Sequence, residues 1–154
     1  MQRTMMAAFM GLAVAKDYCP GSPEEIHAET YIEISAFATC AMVGEEILAR
    51  IEANQQGSWV DPHNVGHYFL DESNFRQIDV RRETGTASIP QGGPFTDKIR
   101  FTMTQSGGTC EISACSASQV QSVTDFSGNY CNIRNLLCGS DVGCVAAKHD
   151  FLFK

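Results

Sequence analysis

No Cys-x2-Cys pair occurs in this sequence, nor any Gly-x-Ser-x-Gly elbow, Gly-rich loop ending in Lys-Ser/Thr, or Asn-x-Ser/Thr sequon. The first absence argues against a structural zinc site, which usually chelates its ion through closely paired cysteines. The second removes the commonest signature of a serine hydrolase, and the third that of a phosphate-binding loop. Positive charge is scarce, with 11 Lys+Arg against 18 Asp+Glu and a net charge of -7. A protein that grips nucleic acid through its phosphates needs the opposite sign, so no nucleic-acid partner is expected. Charged residues make up only 19% and hydrophobic residues 44%, which argues against a disordered chain. No segment is long and apolar enough to span a bilayer, so no membrane span is expected. At 154 residues the chain has the length of one ordinary domain.

What is present begins at the N-terminus. Arg3 precedes an uncharged apolar run, Met5 to Ala15, that closes on the small-x-small pattern Ala13-Val14-Ala15. That is the anatomy of a short secretory signal peptide over 1–15, leaving a single domain over 16–154. Seven cysteines follow: Cys19, Cys40, Cys110, Cys115, Cys131, Cys138 and Cys144. Their density behind such a leader predicts a disulfide framework and a secreted, extracellular or otherwise oxidising location. Three bridges using six of the seven are expected, with connectivity open; Cys19 to Cys40 is one plausible pair. The odd cysteine and the apolar ending Phe151-Leu152-Phe153-Lys154 together suggest that the natural chain continues. The orphan thiol is then expected among Cys131, Cys138 and Cys144.

Ser22-Pro23-Glu24-Glu25 has the composition of a helix start, with a capping Ser and Pro at the first helical position. Ile34, Phe37, Ala41, Gly44, Leu48 and Ile51 recur at three- and four-residue steps, and Gly57 supplies a stop. The pattern predicts one long N-terminal helix over roughly 23–54. Beyond Gly57 the period changes to two. Strands are expected over His67–Leu70, Asn74–Arg82, Lys98–Gln105 and Thr109–Ser116, with Ser106-Gly107-Gly108 turning the last two into a hairpin. Ile99, Phe101 and Met103 alternate with Arg100, Thr102 and Thr104, the mark of a strand buried on one face. Residues 87–94 read as a loop, 117–143 as a disulfide-tied loop region with a helical turn near Ile133 to Leu137, and 145–153 as a returning strand. The expected fold class is α+β: the long helix packed on a four- or five-stranded antiparallel meander. Ile34, Phe37, Leu48, Ile51, Ile78, Val80, Ile99, Phe101 and Met103 are its predicted core.

Chemistry is thinly advertised. Asp61, His63 and His67 carry metal-ligand side chains within a short stretch, the weak candidates for a metal-assisted hydrolase. Pro62 and Gly66 deny them a shared helix face, and no further ligand pair follows. Adjacent carboxylates such as Glu45-Glu46 diverge on a helix and make no acid–base pair by themselves. Arg76, Arg81, Arg82 and Arg100 lie in the candidate sheet; they suit anionic groups, or cross-strand pairing with Asp79, Glu83 and Asp97. Trp59 is read as a helix–sheet anchor. Without a catalytic constellation, the function expected is a secreted, disulfide-stabilised module binding an unknown protein or small-molecule ligand, with no cofactor. A hydrolase and a structural or surface-coat protein are the alternatives.

The stretches Ala114-Cys115-Ser116-Ala117-Ser118-Gln119-Val120, Ser122 to Asn132, and Arg134-Asn135-Leu136-Leu137-Cys138, together with Trp59 to Asn64 and Thr96-Asp97-Lys98, resemble a family of small secreted, cysteine-rich proteins of marine unicellular algae. That resemblance covers Cys40 to Cys144 and implies secretion but no activity. The helix-then-meander order is also similar to cystatin-like protease inhibitors. Their Gln-x-Val-x-Gly loop is not matched: Gln119-Val120-Gln121-Ser122-Val123 departs from it.

Overall fold

In the computed structural model, which describes residues 19–84, 95–123 and 126–154, a strand rather than a helix comes first. The order is β1 (Glu29–Ala36), α1 (Cys40–Gln55), β2 (His67–Ser73), β3 (Gln77–Glu83), β4 (Thr96–Ser106), β5 (Thr109–Ser118) and α2 (Gly128–Leu136), followed by a 3-10 turn at Ser140–Val142. All strand pairs are antiparallel and form one five-stranded sheet in the order β1-β5-β4-β3-β2.

The long N-terminal helix over 23–54 is therefore corrected to a strand, a tight turn and a shorter helix. Residues 29–36 alternate: Thr30, Ile32, Ile34 and Ala36 turn inward, while Glu29, Tyr31 and Glu33 stay exposed. β-Branched residues at period two suit a pleated half-buried surface, and β5 supplies the partner, setting Ile34 against Ile112 and Ile32 against Ala114. Ser22 caps nothing helical. The cap is Thr39, whose hydroxyl accepts the Met42 N–H at 3.3 Å. Phe37, predicted in the core, falls in the turn before that cap and is 59% exposed.

α1 lays Cys40, Val43, Gly44, Ile47 and Ile51 on the sheet. Facing them are Ile78, Val80, Ile99, Phe101, Met103 and Ile112, all buried; Ile34, Leu48 and Trp59 pack at the margin. The β4–β5 hairpin closes through Gly107 and Gly108, with Ser106 opposite Thr109 and Gly107 at φ +58°. The outer face of β2, β3 and β4 carries charge pairs: Arg100 Nη2 meets Asp79 Oδ2 at 2.6 Å, Arg81 Nε meets Asp71 Oδ1 at 3.7 Å and Lys98 meets Asp71 across strands, and Arg81 meets Glu83 within β3.

The expected strand over 145–153 is instead an extended arm. It touches the sheet through one bridge, Ala36 to Phe153, with the Lys154 and Ser35 backbones exchanging hydrogen bonds at 2.7 and 3.0 Å. The helical turn near Ile133 to Leu137 is a nine-residue helix beginning at Gly128. Three disulfides tie these parts: Cys19–Cys115, Cys40–Cys110 and Cys138–Cys144. The Cys19–Cys40 pairing is thus corrected: Cys19, in the segment ahead of β1, joins Cys115 of β5, while Cys40, at the start of α1, joins Cys110 of the same strand. Cys131, on α2, lies outside the three bridges. The segment read as a signal peptide, 1–15, and the loop 87–94 lie outside the described residues.

Candidate functional site

The inner face of the sheet divides along its strands. At one end, Ile78, Phe101, Met103 and Ile112 are aligned across β3, β4 and β5 beneath α1. At the other, Arg82, Asp97 and Ser118 are aligned, and α2 covers them.

α2 covers that polar end with polar residues. Asn129, Asn132 and Asn135 recur every three positions and so share one stripe. Asn132 Nδ2 donates to Asp97 Oδ2 at 2.8 Å and to Ser116 Oγ at 3.2 Å; Asn129 lies 2.6 Å from Ser116 Oγ; Asn135 Nδ2 donates to Asp61 Oδ1 at 2.6 Å. Arg82, 2% exposed, is the hub. Its Nε donates to Asp61 Oδ2 at 3.0 Å, and its Nη1 lies 3.8 Å from Asp97 Oδ2. The Tyr68 hydroxyl donates to the Asn132 carbonyl at 3.4 Å, and burial, with the Asp61 charge, pushes this phenol's pKa up. Asn132 Oδ1 has no hydrogen-bond partner among the described residues. A buried charge is tolerable only when paired and hydrogen-bonded, and this cluster satisfies that condition for Arg82.

This arrangement decides the fate of the sequence candidates. Asp61 is committed to Arg82 and to the N–H groups of His63 and Gly66, both at 2.9 Å. His63 offers its backbone carbonyl to Arg82, and His67 opens β2 with an exposed side chain. Asp61, His63 and His67 do not converge, and no group of three His, Cys, Asp or Glu side chains that could hold a metal ion occurs among the described residues. The loop carrying them folds tightly around the guanidinium. A Cβ on Gly66 would lie 2.4 Å from Arg82 Cζ, and Asn64 and Val65 both adopt positive φ, +61° and +51°.

A second buried ion pair lies on the other flank of α1. Arg50 Nε donates to Glu46 Oε1 at 2.7 Å, and both side chains are out of water. Glu46 also accepts the N–H groups of Ala147, Lys148 and His149, each at 2.7 Å. Burial alone would raise its pKa; these four donors outweigh burial and lower it. Neighbouring Glu45 pairs with Lys148 Nζ and His149 Nε2, both at 2.8 Å, which hold its pKa down to about 2.

An open concavity lies at the apolar end. A cleft of about 730 Å³ lies between the first half of α1 and the β2–β3 turn. Gly44 and Leu48 form one wall, Ile78 and Met103 the floor, and Phe75 and Arg76 the far rim. Gly44 has no side chain to stand over Met103 and Ile78: a Cβ there would touch both, and the two residues, 3% and 1% exposed, are otherwise enclosed by the core. Asn74 builds the rim: its Oδ1 accepts the N–H groups of Arg76 and Gln77 at 2.9 and 3.0 Å, turning Phe75 outward to 80% exposure. The Arg76 guanidinium stacks over the Phe75 ring, 5.0 Å from its centroid, and makes no ion pair among the described residues. Arg81, Arg82 and Arg100 are all paired with carboxylates, so Arg76 differs from the other sheet arginines in having its charge uncommitted.

No family model matches the chain, and no curated protein matches it. Among solved structures it is similar to the one described as the crystal structure of Ara h 8.0201, at 8% identity and a TM-score of 0.42, over 71% of this chain and 88% of that one. A likeness that loose says nothing about ligand or activity.

Sequence patterning singled out Arg76 only as one of four arginines. It missed the Asn129, Asn132 and Asn135 stripe, although their three-residue spacing was a usable signal for a helix with a polar face. Glu46 and Arg50 are charged and lie off the apolar stripe of the helical pattern, yet both are buried, because the C-terminal arm covers that flank.

Proposed function

We propose that this protein is an extracellular binding module whose α1/β3 cleft takes a small apolar ligand carrying an acidic group. The observation that carries this reading is the pairing of an apolar floor, Ile78 and Met103, with an uncommitted guanidinium, Arg76, at the rim. Binding clefts of this size are typically apolar, with a few polar groups that fix orientation. The three disulfides are compatible with an oxidising compartment, and no helix among the described residues is long and apolar enough to cross a membrane. Titration with decanoate and decanol, followed by the NMR signals of Leu48, Ile78 and Met103, tests the assignment. Decanoate is expected to bind more tightly than decanol, and Arg76→Gln to abolish the difference. Absence of any shift at these three residues, or an equal preference before and after Arg76→Gln, overturns it.

A further inference from the structure

The bridge between Cys138 and Cys144 is chemically asymmetric. Cys138 is buried, and Arg50 Nη1 donates to its Sγ at 3.1 Å. Arg50 Nη2 donates to the Cys138 carbonyl at 2.7 Å, so the guanidinium is locked on this residue. Cys144 is half-exposed and flanked by exposed Gly143 and Val145. One cysteine is partly open to solvent, while the sulfur of the other sits against a fixed cation. By contrast, both cysteines of the Cys40–Cys110 bridge are buried.

We propose that Cys138–Cys144 is an exchangeable disulfide, attacked at Cys144 by an external dithiol and opened toward a Cys138 thiolate held by Arg50. A thiolate of the dithiol forms a bond to Cys144 Sγ, the Cys138–Cys144 bond breaks, and its electron pair leaves on Cys138. The second thiol, deprotonated to solvent, then attacks the mixed disulfide and closes the reductant's own ring. Cys144 is released and takes a proton from water. The dithiol loses two electrons and the bridge gains them. Exchange is faster when the leaving sulfur is the better-stabilised thiolate, and a neighbouring Arg supplies that stabilisation.

The groups facing Cys138 are consistent with that role. Glu46, the nearby anion, is satisfied by Arg50 Nε and three arm amides. The Asn135 carbonyl lies 3.7 Å from the sulfur, but Arg50 Nη1 also bonds that oxygen at 2.7 Å. Asp150 is engaged by the N–H and hydroxyl of Ser140. Asp141 is exposed on the 3-10 turn between the cysteines. The bridge closes the loop that starts the arm, so opening it loosens the hold of α1 on Ala147 to His149.

Limiting dithiothreitol at neutral pH, acid quench and alkylation, with modified peptides mapped by mass spectrometry, tests the proposal on the full oxidised chain. Cys138 and Cys144 should be labelled at least tenfold faster than Cys40 and Cys110. With glutathione as a single thiol, the trapped adduct should be on Cys144. Arg50→Lys should slow opening several-fold; if that variant does not fold, the trapping site and the relative rates in the unaltered protein decide. Equal rates for the two bridges, or glutathione trapped on Cys138, overturns the proposal. In the singly reduced protein, the alkylation of Cys138 should have a midpoint below the ordinary thiol value of about 8.5. A midpoint at or above that value overturns it as well. None of these readouts depends on the cleft.

Discussion

Arg82 and Asp61 form an ion pair out of contact with water, joined at 3.0 Å through Nε, with side chains 2% and 0% exposed. Neither partner can be lost alone without leaving a buried charge. Asp61→Ala is expected to destabilise the fold by about 3–5 kcal/mol, and Asp61→Asn by less, because the amide oxygen still accepts. Urea denaturation measures both. Gly66→Ala should cost about 1–3 kcal/mol through the same pair, since its methyl must displace the guanidinium.

Acid should release the C-terminal arm before it unfolds the sheet. Glu46, Glu45 and Asp150 all have lowered pKa values in the folded state. Each therefore contributes stability that is present above its unfolded pKa and is lost as pH falls through its folded one. For Glu45 that window runs from 4.5 down to about 2. Amide exchange at Ala147 to His149 should accelerate across this range while the β4 and β5 amides stay protected. Simultaneous loss of protection in both regions would show that the arm is not an independent unit. In high salt the exposed Glu45 contribution should shrink, whereas the buried Glu46 one should persist.

Gly44 offers a separation of stability from binding. A Cβ there would lie 3.6 Å from Met103 Cε and 3.8 Å from Ile78 Cδ1, ordinary contact distances. Gly44→Ala is expected to stabilise the protein by about 0.5–1 kcal/mol through helix propensity. Gly44→Leu fills the cleft, so decanoate binding should fall at least tenfold while the circular dichroism spectrum is unchanged. A Gly44→Leu protein that still binds like the parent places the ligand elsewhere.

Val65 is a β-branched residue at φ +51° and 52% exposed, so its side chain contributes little packing while its backbone is strained. Val65→Asn should raise stability by about 1 kcal/mol, read as an increase in the urea midpoint with unchanged slope. A loss of stability would mean that the Val65 side chain packs more usefully than its exposure indicates.

Strong periodicity made the centre of the sheet legible. Ile99, Phe101 and Met103 alternate with polar residues, and Ser106 to Thr109 is a turn by composition; β4 and β5 follow from those facts alone. Residues 29–36 were not legible, because Ile34, Phe37 and Ala41 also satisfy a helical step. A short amphipathic segment can serve either period, and the choice falls to whichever partner buries it. β5 takes Ile32 and Ile34, and that pairing leaves Phe37 outside.

Composition and local pattern by themselves determined that this chain is an acidic domain with a cysteine framework, and that Ile78, Val80, Ile99, Phe101 and Met103 lie inside it. Those properties depend on local period and residue type, which act over a few positions. Tertiary structure alone decided that Cys40 meets Cys110, that Arg82 sits between Asp61 and Asp97, that Glu46 holds the arm, and that Arg76 keeps its charge uncommitted at the cleft. These outcomes join residues far apart in the chain. Their energies come from desolvation and pairing at contact distance, and neither exists until the sheet and its two helices have brought the partners together.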